Sequence, residues 1–229
     1  MRLDKYLTSV TDLSRNHAKR MIRCGEVSVD GVVVTDAQRK VLPTSQVQWQ
    51  ARVLRTPEPR YFMLHKPEGY VSARKDREHL TVLELFDEDN IDQLHIVGRL
   101  DIDTTGLLLV SDDGQWGHRI TSPRNGCGKT YWVETTLPIE PELVEVFARG
   151  VKLAGEVRPT RPAMLNIVDD CSARLTISEG RFHQVKRMFA FAGNHVKRLH
   201  RERIGELVLD DELAPGEYRP LTQEEVALF

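Results

Sequence analysis

Gly98-Arg99-Leu100-Asp101-Ile102-Asp103-Thr104-Thr105-Gly106-Leu107-Leu108-Leu109-Val110 joins a polar loop to a short, unbroken apolar run. Leu107 to Val110 reads as a buried strand, because the run is bounded by Gly106 on one side and by Ser111-Asp112-Asp113-Gly114 on the other. Asp101 is thereby held at the rim of a core element, and a loop clamped between Gly98 and Gly106 gives a carboxylate the fixed support that a nucleophile or base needs. A turn rich in Asp and Thr can also serve only to hydrogen-bond its own backbone, and this stretch alone leaves both uses open.

The 229 residues suit one large domain or two smaller ones, and 40% hydrophobic residues are enough to bury a core. No apolar run approaches the roughly 18 residues of a membrane span, and Met1 to Lys5 lacks the apolar stretch of a signal peptide, so a cytoplasmic protein without membrane contact is expected. Cys24, Cys127 and Cys171 lie far apart with no C-x-x-C spacing, which predicts reduced thiols and neither a disulfide framework nor a zinc site. The net charge of -2 hides a strong segregation. Residues 1–56 hold ten Lys or Arg against five Asp or Glu, residues 181–203 hold seven against Glu202, and residues 206–229 hold seven acids against Arg219. Two basic segments in one chain suit a phosphate-rich partner better than the net charge suggests, although either alone would pass as a solvated face.

Within the first basic segment, Arg2, Lys5, Arg15, Lys19, Arg20 and Arg23 accompany a helical pattern in which Leu13, His17 and Met21, with Ala18 and Ile22, recur at three- and four-residue spacings. Ser14 can cap that helix and Gly25 can end it. Asp30-Gly31 then joins Glu26-Val27-Ser28-Val29 to Val32-Val33-Val34, a strong hairpin signal. A further strand is expected at Gln46 to Trp49. Arg55-Thr56-Pro57-Glu58-Pro59-Arg60 is polar and carries two prolines, and it marks a boundary between domains of residues 1–58 and 59–229.

Beyond the boundary, short apolar runs alternate with Gly, Pro and Asp turns: Tyr61 to Leu64, Val71, Ile96-Val97, Leu107 to Val110, Tyr131 to Val133, Ala163 to Val168, Leu175 to Ile177 and Leu207 to Leu209. Helices are expected at about Val82 to Phe86, Pro141 to Arg149 and His183 to Ala192. This predicts an α+β domain around a mostly antiparallel mixed sheet with flanking helices. Lys66-Pro67-Glu68-Gly69-Tyr70 is a Pro-Gly turn after a strand. Lys129-Thr130-Tyr131 opens another and sets a large ring on one face. Glu179 to Phe189 runs from a strand end through a Gly turn into a helix, so amides and basic side chains gather at its start.

The N-terminal pattern, R-L-D-K-x-L followed by S-R-x-x-A-x-x-x-I-x-x-G-x-V-x-V-D-G, resembles the S4-type RNA-binding domain, in which a basic helix lies on structured RNA. K-P-x-G, G-R-L-D-x-D-T-T-G-L, K-T-Y and E-G-R-F-H-Q-V-K-R-M, in this order, resemble the pseudouridine synthases. Ser111 to Arg124 and His195 to Gly205 narrow the likeness to the RsuA family, which acts on bacterial small-subunit ribosomal RNA. Together the resemblances cover essentially the whole chain. One departure is Asn125-Gly126-Cys127-Gly128 before Lys129, where the family usually has an acidic residue.

The resemblance implies the pseudouridine synthase fold for residues 59–229, and isomerisation of one uridine of 16S rRNA, free or in a small-subunit assembly intermediate. It implies no cofactor, no metal and no obligatory protein partner, and a monomer is expected. The reaction breaks the N1 glycosidic bond, turns the uracil and joins C5 to the same sugar. The catalytic set implied is Asp101 as the carboxylate, Tyr131 as the active-site tyrosine and Lys186 as the cation that keeps Asp101 charged. Arg187 is the rival cation, since successive helix positions point about 100° apart. Lys66, Arg99, Arg181, His183, Gln184, Arg187 and Leu199 are the expected substrate-binding residues. Arg99 would help extrude the base, unless it forms a salt bridge to Asp103. Arg2, Lys5, Arg15, Lys19, Arg20 and Arg23 are the expected RNA contacts of the N-terminal domain. Two other functions fit part of the sequence. Asp101-Ile102-Asp103-Thr104-Thr105 also matches the D-x-D-x-T of haloacid-dehalogenase-like aspartyl phosphotransferases, and the S4-type domain suits a non-catalytic RNA-binding assembly factor.

Overall fold

The computed structural model describes residues 1–42, 44–55 and 58–229. They form two compact units, Met1–Glu58 and Pro59–Phe229. Of the expected linker, Thr56 and Pro57 lie outside the described residues.

The first unit holds α1 (Leu3–Val10), α2 (Arg15–Arg23), β1 (Val27–Val29), β2 (Val32–Val33), β3 (Val47–Trp49) and β4 (Arg52–Leu54). Ser14 caps α2 by accepting a hydrogen bond from the His17 amide, and the chain leaves the helix through Gly25 at φ 74°. Asp30 and Gly31 both take positive φ, at 54° and 81°, in the tight turn that pairs Val29 with Val32. Ala18 and Ile22 of α2 meet Leu3, Leu7, Val27, Val29 and Val47 in a core of the unit's own. Arg15, Lys19 and Arg23 recur four residues apart along α2, and Arg20 lies on the side away from Ala18 and Ile22.

The second unit is built on a mixed sheet whose strands are β5 (Tyr61–Lys66), β6 (His95–Val97), β7 (Thr105–Ser111), β8 (Lys129–Thr135), β9 (Met164–Asp169), β10 (Ser172–Ile177), β11 (Val196–Ile204), β12 (Leu207–Val208) and β13 (Tyr218–Pro220). The order is β13-β5-β7-β11-β8-β10-β9, with β12 paired to β11 and β6 to β7. Only β7 and β11 run parallel among the described pairs. Four helices flank the strands: α3 (Gly114–Thr121), α4 (Leu143–Arg149), α5 (Gln184–Phe191) and the short α6 (Gln223–Val226).

Leu107 to Val110 of β7 are an unbroken apolar run because both faces of the strand are covered there. Leu108 and Val110 join the core beneath α4 and α5, with Phe147, Val185, Met188 and Phe189. Leu107 and Leu109 join the opposite core, with Trp116 and Ile120 of α3 and with Ile204 and Leu207. Gly106 is required where β7 meets β11. Its φ is 105°, and a Cβ there would lie 2.3 Å from the Arg201 carbonyl oxygen. The expected helices at Val82 and Pro141 shorten to a 3-10 turn over Val82–Leu85 and to Leu143–Arg149. The run Ala163 to Val168 shifts by one residue to Met164–Asp169, and Leu175 to Ile177 extends to Ser172–Ile177.

Candidate active site

Asp101 sits on the loop that joins β6 to β7, and that loop is fastened from below along its length. Ser72 Oγ donates to the Leu100 carbonyl at 2.8 Å and accepts from the Leu100 amide at 3.0 Å, which fixes the residue before Asp101. The Thr104 amide closes a turn onto the Asp101 carbonyl at 3.1 Å, and the Gly69 amide donates to the Ile102 carbonyl at 2.9 Å. Lys66, at the end of β5, is fully buried and donates its ammonium to the carbonyls of Pro67 (2.9 Å), Ile102 (3.4 Å) and Thr104 (2.7 Å). Burial pushes the Lys66 pKa down to about 8, against the opposing pull of Asp103, Asp101 and Glu68. Expected as a substrate contact, Lys66 is instead a brace, because its three N–H groups are already spent on the loop.

Above the loop stands the start of α5. Lys186 Nζ lies 3.4 Å from Asp101 Oδ2 and 2.5 Å from Asp103 Oδ1, so one ammonium bridges the two carboxylates. Burial works against the charge on Asp103, but the hydrogen bond and charge of Lys186 outweigh it and hold its carboxyl below the usual range. His183 Nε2 is 3.6 Å from the other oxygen of Asp101. The Asp101 side chain stays about one third exposed, at 32%, so it is supported and still reachable.

Of the two candidate cations on α5, only Lys186 turns to Asp101. Arg187 points the other way, to Glu156 (3.2 Å) and to the carbonyls of Phe182 (3.0 Å) and Ala154 (2.6 Å). Arg181 binds the carbonyls of Arg158 (2.7 Å) and Pro159 (2.6 Å) and lies near Glu156 and Glu179. These two arginines, expected on substrate, lace the 154–160 segment to the head of α5. Gln184 is also corrected: it is buried and bridges the Arg181 amide and Glu179. So is Leu199, which lies in the apolar core. Arg99 is exposed and makes no ion pair among the described residues; Lys186 occupies Asp103 instead.

Tyr131 lies on β8 with its side chain nearly buried. Its neighbour across the ladder, Arg201 of β11, went unnoticed in the sequence. Arg201 is 2% exposed, donates Nε–H to the Leu107 carbonyl at 2.7 Å and sets its guanidinium 5.9 Å from the centre of the Tyr131 ring. One of its nitrogens reaches the Tyr131 hydroxyl at 3.5 Å. The whole strand β11 was missed because V-K-R-L-H-R-E-R-I reads as a charged surface run. The period-two placement of Leu199 and Arg201 on one face was the available signal. Ser72 left no sequence signal.

In the first unit, Arg2 and Arg15 lean on the buried Asp4, at 2.8 Å and 3.5 Å. The hydrogen bond from Arg2 holds the Asp4 carboxyl below its usual range. Lys5, Arg20 and Arg23 are exposed, Lys19 is half-buried, and none of the four forms an ion pair among the described residues.

Comparison with known proteins agrees with this architecture. Residues 60–191 match the family model described as RNA pseudouridylate synthase, and residues 1–47 match the S4 domain. Ribosomal small subunit pseudouridine synthase A of Escherichia coli K12 is 54% identical over 228 residues, covering 99% of both chains. The protein of the same name from Vibrio cholerae is 52% identical over 227 residues, covering 99% of this chain and 98% of its own. A solved structure described as pseudouridylate synthase superposes over 100% of both chains with a TM-score of 0.74 and 46% identity. Identity of this extent along the whole chain leaves neither the phosphotransferase nor the purely RNA-binding alternative standing. The chain belongs to the pseudouridine synthase family, with an S4 domain at its N-terminus.

Proposed function

We propose that the protein isomerises a uridine of small-subunit ribosomal RNA, 16S rRNA in a bacterium, to pseudouridine in the cytoplasm, with Asp101 as the catalytic carboxylate. The observation that carries this is the setting of Asp101: a carboxylate about one third exposed, on a loop fastened by Ser72 and Lys66, with the Lys186 ammonium 3.4 Å away. A carboxylate so placed is held beside a counter-charge and faces a substrate without having to reorganise.

The residues divide the work. Asp101 meets the reacting nucleotide, Lys186 balances its charge, and Asp103 holds Lys186 in place. Tyr131, backed by Arg201, offers the uracil an apolar ring face and a hydroxyl. Arg99, exposed two residues before Asp101, is free to meet the backbone or the space that the extruded base leaves. Lys5, Lys19, Arg20 and Arg23, with Arg2 and Arg15, supply phosphate contacts from the S4 domain. The small-subunit target rests on the names of the relatives. Mapping pseudouridine in small-subunit rRNA from cells with and without the gene tests it: one uridine should lose its modification. An unchanged small-subunit map, with a site lost elsewhere, would move the target to another RNA.

A further inference from the structure

Phe182 is 76% exposed at the mouth of the site, where a side chain of its kind would ordinarily find cover. The backbone that carries it is tied down on both sides. The Arg181 amide donates to Gln184 Oε1 at 2.9 Å, Arg187 donates to the Phe182 carbonyl at 3.0 Å, and the Arg187 amide donates to the His183 carbonyl at 2.9 Å. Between these ties His183 is held in the left-handed region, at φ 47°, a conformation that costs a non-glycine residue and that concentrates at functional positions. On this backbone the two rings stack. Phe182 lies on the His183 imidazole, with centroids 3.8 Å apart and planes 18° from parallel, and the far edge of that imidazole is 3.6 Å from Asp101.

One face of Phe182 is covered by His183 and the other is open to solvent. We propose that this open face is a stacking platform for an unpaired nucleobase next to the target uridine in the substrate RNA, a proposal that rests on the RNA reading given above. The geometry points to a neighbouring base and not to the target itself, because the ring that meets Asp101 is the His183 imidazole, and Phe182 stacks on that imidazole. Phe182 is thus linked to Asp101 through one intervening ring contact. The surroundings suit RNA: Arg99 is exposed without an ion pair among the described residues, and Lys186 and His183 add donors along the same rim. Stacking on an aromatic face tolerates any base, so the platform fixes the path of the strand and does not read its sequence.

The test uses the full chain and small-subunit rRNA, free or in partly assembled particles, with each nucleotide flanking the modified uridine replaced in turn by an abasic ribose. Phe182→Ala and Phe182→Leu should raise the RNA concentration for half-maximal rate by about ten-fold or more, with the saturated rate within a few-fold of wild type. Phe182→Tyr and Phe182→Trp should stay near wild type. Removal of one flanking base should cost the wild type the same factor and cost Phe182→Ala nothing further. The proposal fails if Phe182→Ala matches wild type, if Phe182→Leu does as well as Phe182→Trp, or if Phe182→Ala loses equally on intact and on both abasic RNAs. A wild-type protein that forms no pseudouridine on any of these substrates would overturn the functional reading itself, a distinct result.

Discussion

Lys186 and Lys66 stand on opposite sides of one loop and should respond differently to removal. Lys186→Ala leaves Asp101 and Asp103 facing each other without their shared counter-charge, so the saturated rate should fall by about 100-fold while RNA affinity changes little. Single-turnover kinetics separates the two; weaker binding with an unchanged saturated rate would make Lys186 a phosphate contact. Asp103→Asn keeps an acceptor for Lys186 and should retain measurable activity. Lys66 gives a pH signature. Folded, it releases its proton near pH 8, whereas an unconstrained lysine holds it to 10.5. Between those values the unfolded chain binds more protons, so the contribution of Lys66 to stability rises with pH. Unfolding measured from pH 8 to 10.5 should therefore move in favour of wild type over Lys66→Met, by at most about 1.4 kcal/mol per pH unit. Parallel profiles would show that Lys66 titrates normally. The sequence showed Asp101, Tyr131 and Lys186 as motif residues. It did not show that Lys66 is buried, because K-P-x-G reads equally as an exposed turn, nor that Arg201 backs Tyr131.

At the scale of elements, legibility followed how local the cause was. Helix α2 is set by its own cap, periodicity and terminal glycine, and the β1-β2 hairpin by Asp30-Gly31, so both are where the sequence puts them. Strand β7 is apolar because two cores meet on it, and that signal survives in four adjacent residues. Strand β11 is a tertiary element: Lys197, Arg198 and Arg203 are exposed while Arg201 is buried, its bulges break the alternation, and its place beside β7 comes from pairing distant in sequence. The free basic side of α2 carries its own expectation. Replacing Lys19, Arg20 or Arg23 singly by Ala should weaken binding to many RNAs alike and reduce the slope of log affinity against log salt by about one or less. A loss confined to one RNA sequence, with the slope unchanged, would assign these side chains to base recognition.

The whole molecule combines two units, each with a core of its own. Residues 59–229 alone should therefore fold cooperatively and keep their chemistry at saturating RNA, while binding more weakly than the full chain. A truncated protein that binds as tightly as the full chain would remove the S4 domain from substrate capture. Central to the proposal is that Asp101, on the fastened loop of the second unit, is the catalytic carboxylate. Asp101→Asn preserves shape and the loop's backbone bonds and removes only that charge. The direct measurement is single-turnover pseudouridine formation by Asp101→Asn at saturating small-subunit rRNA, with unfolding and RNA binding measured on the same protein. The account predicts wild-type folding and binding with the rate reduced by about 10,000-fold or more; a rate near wild type would contradict it.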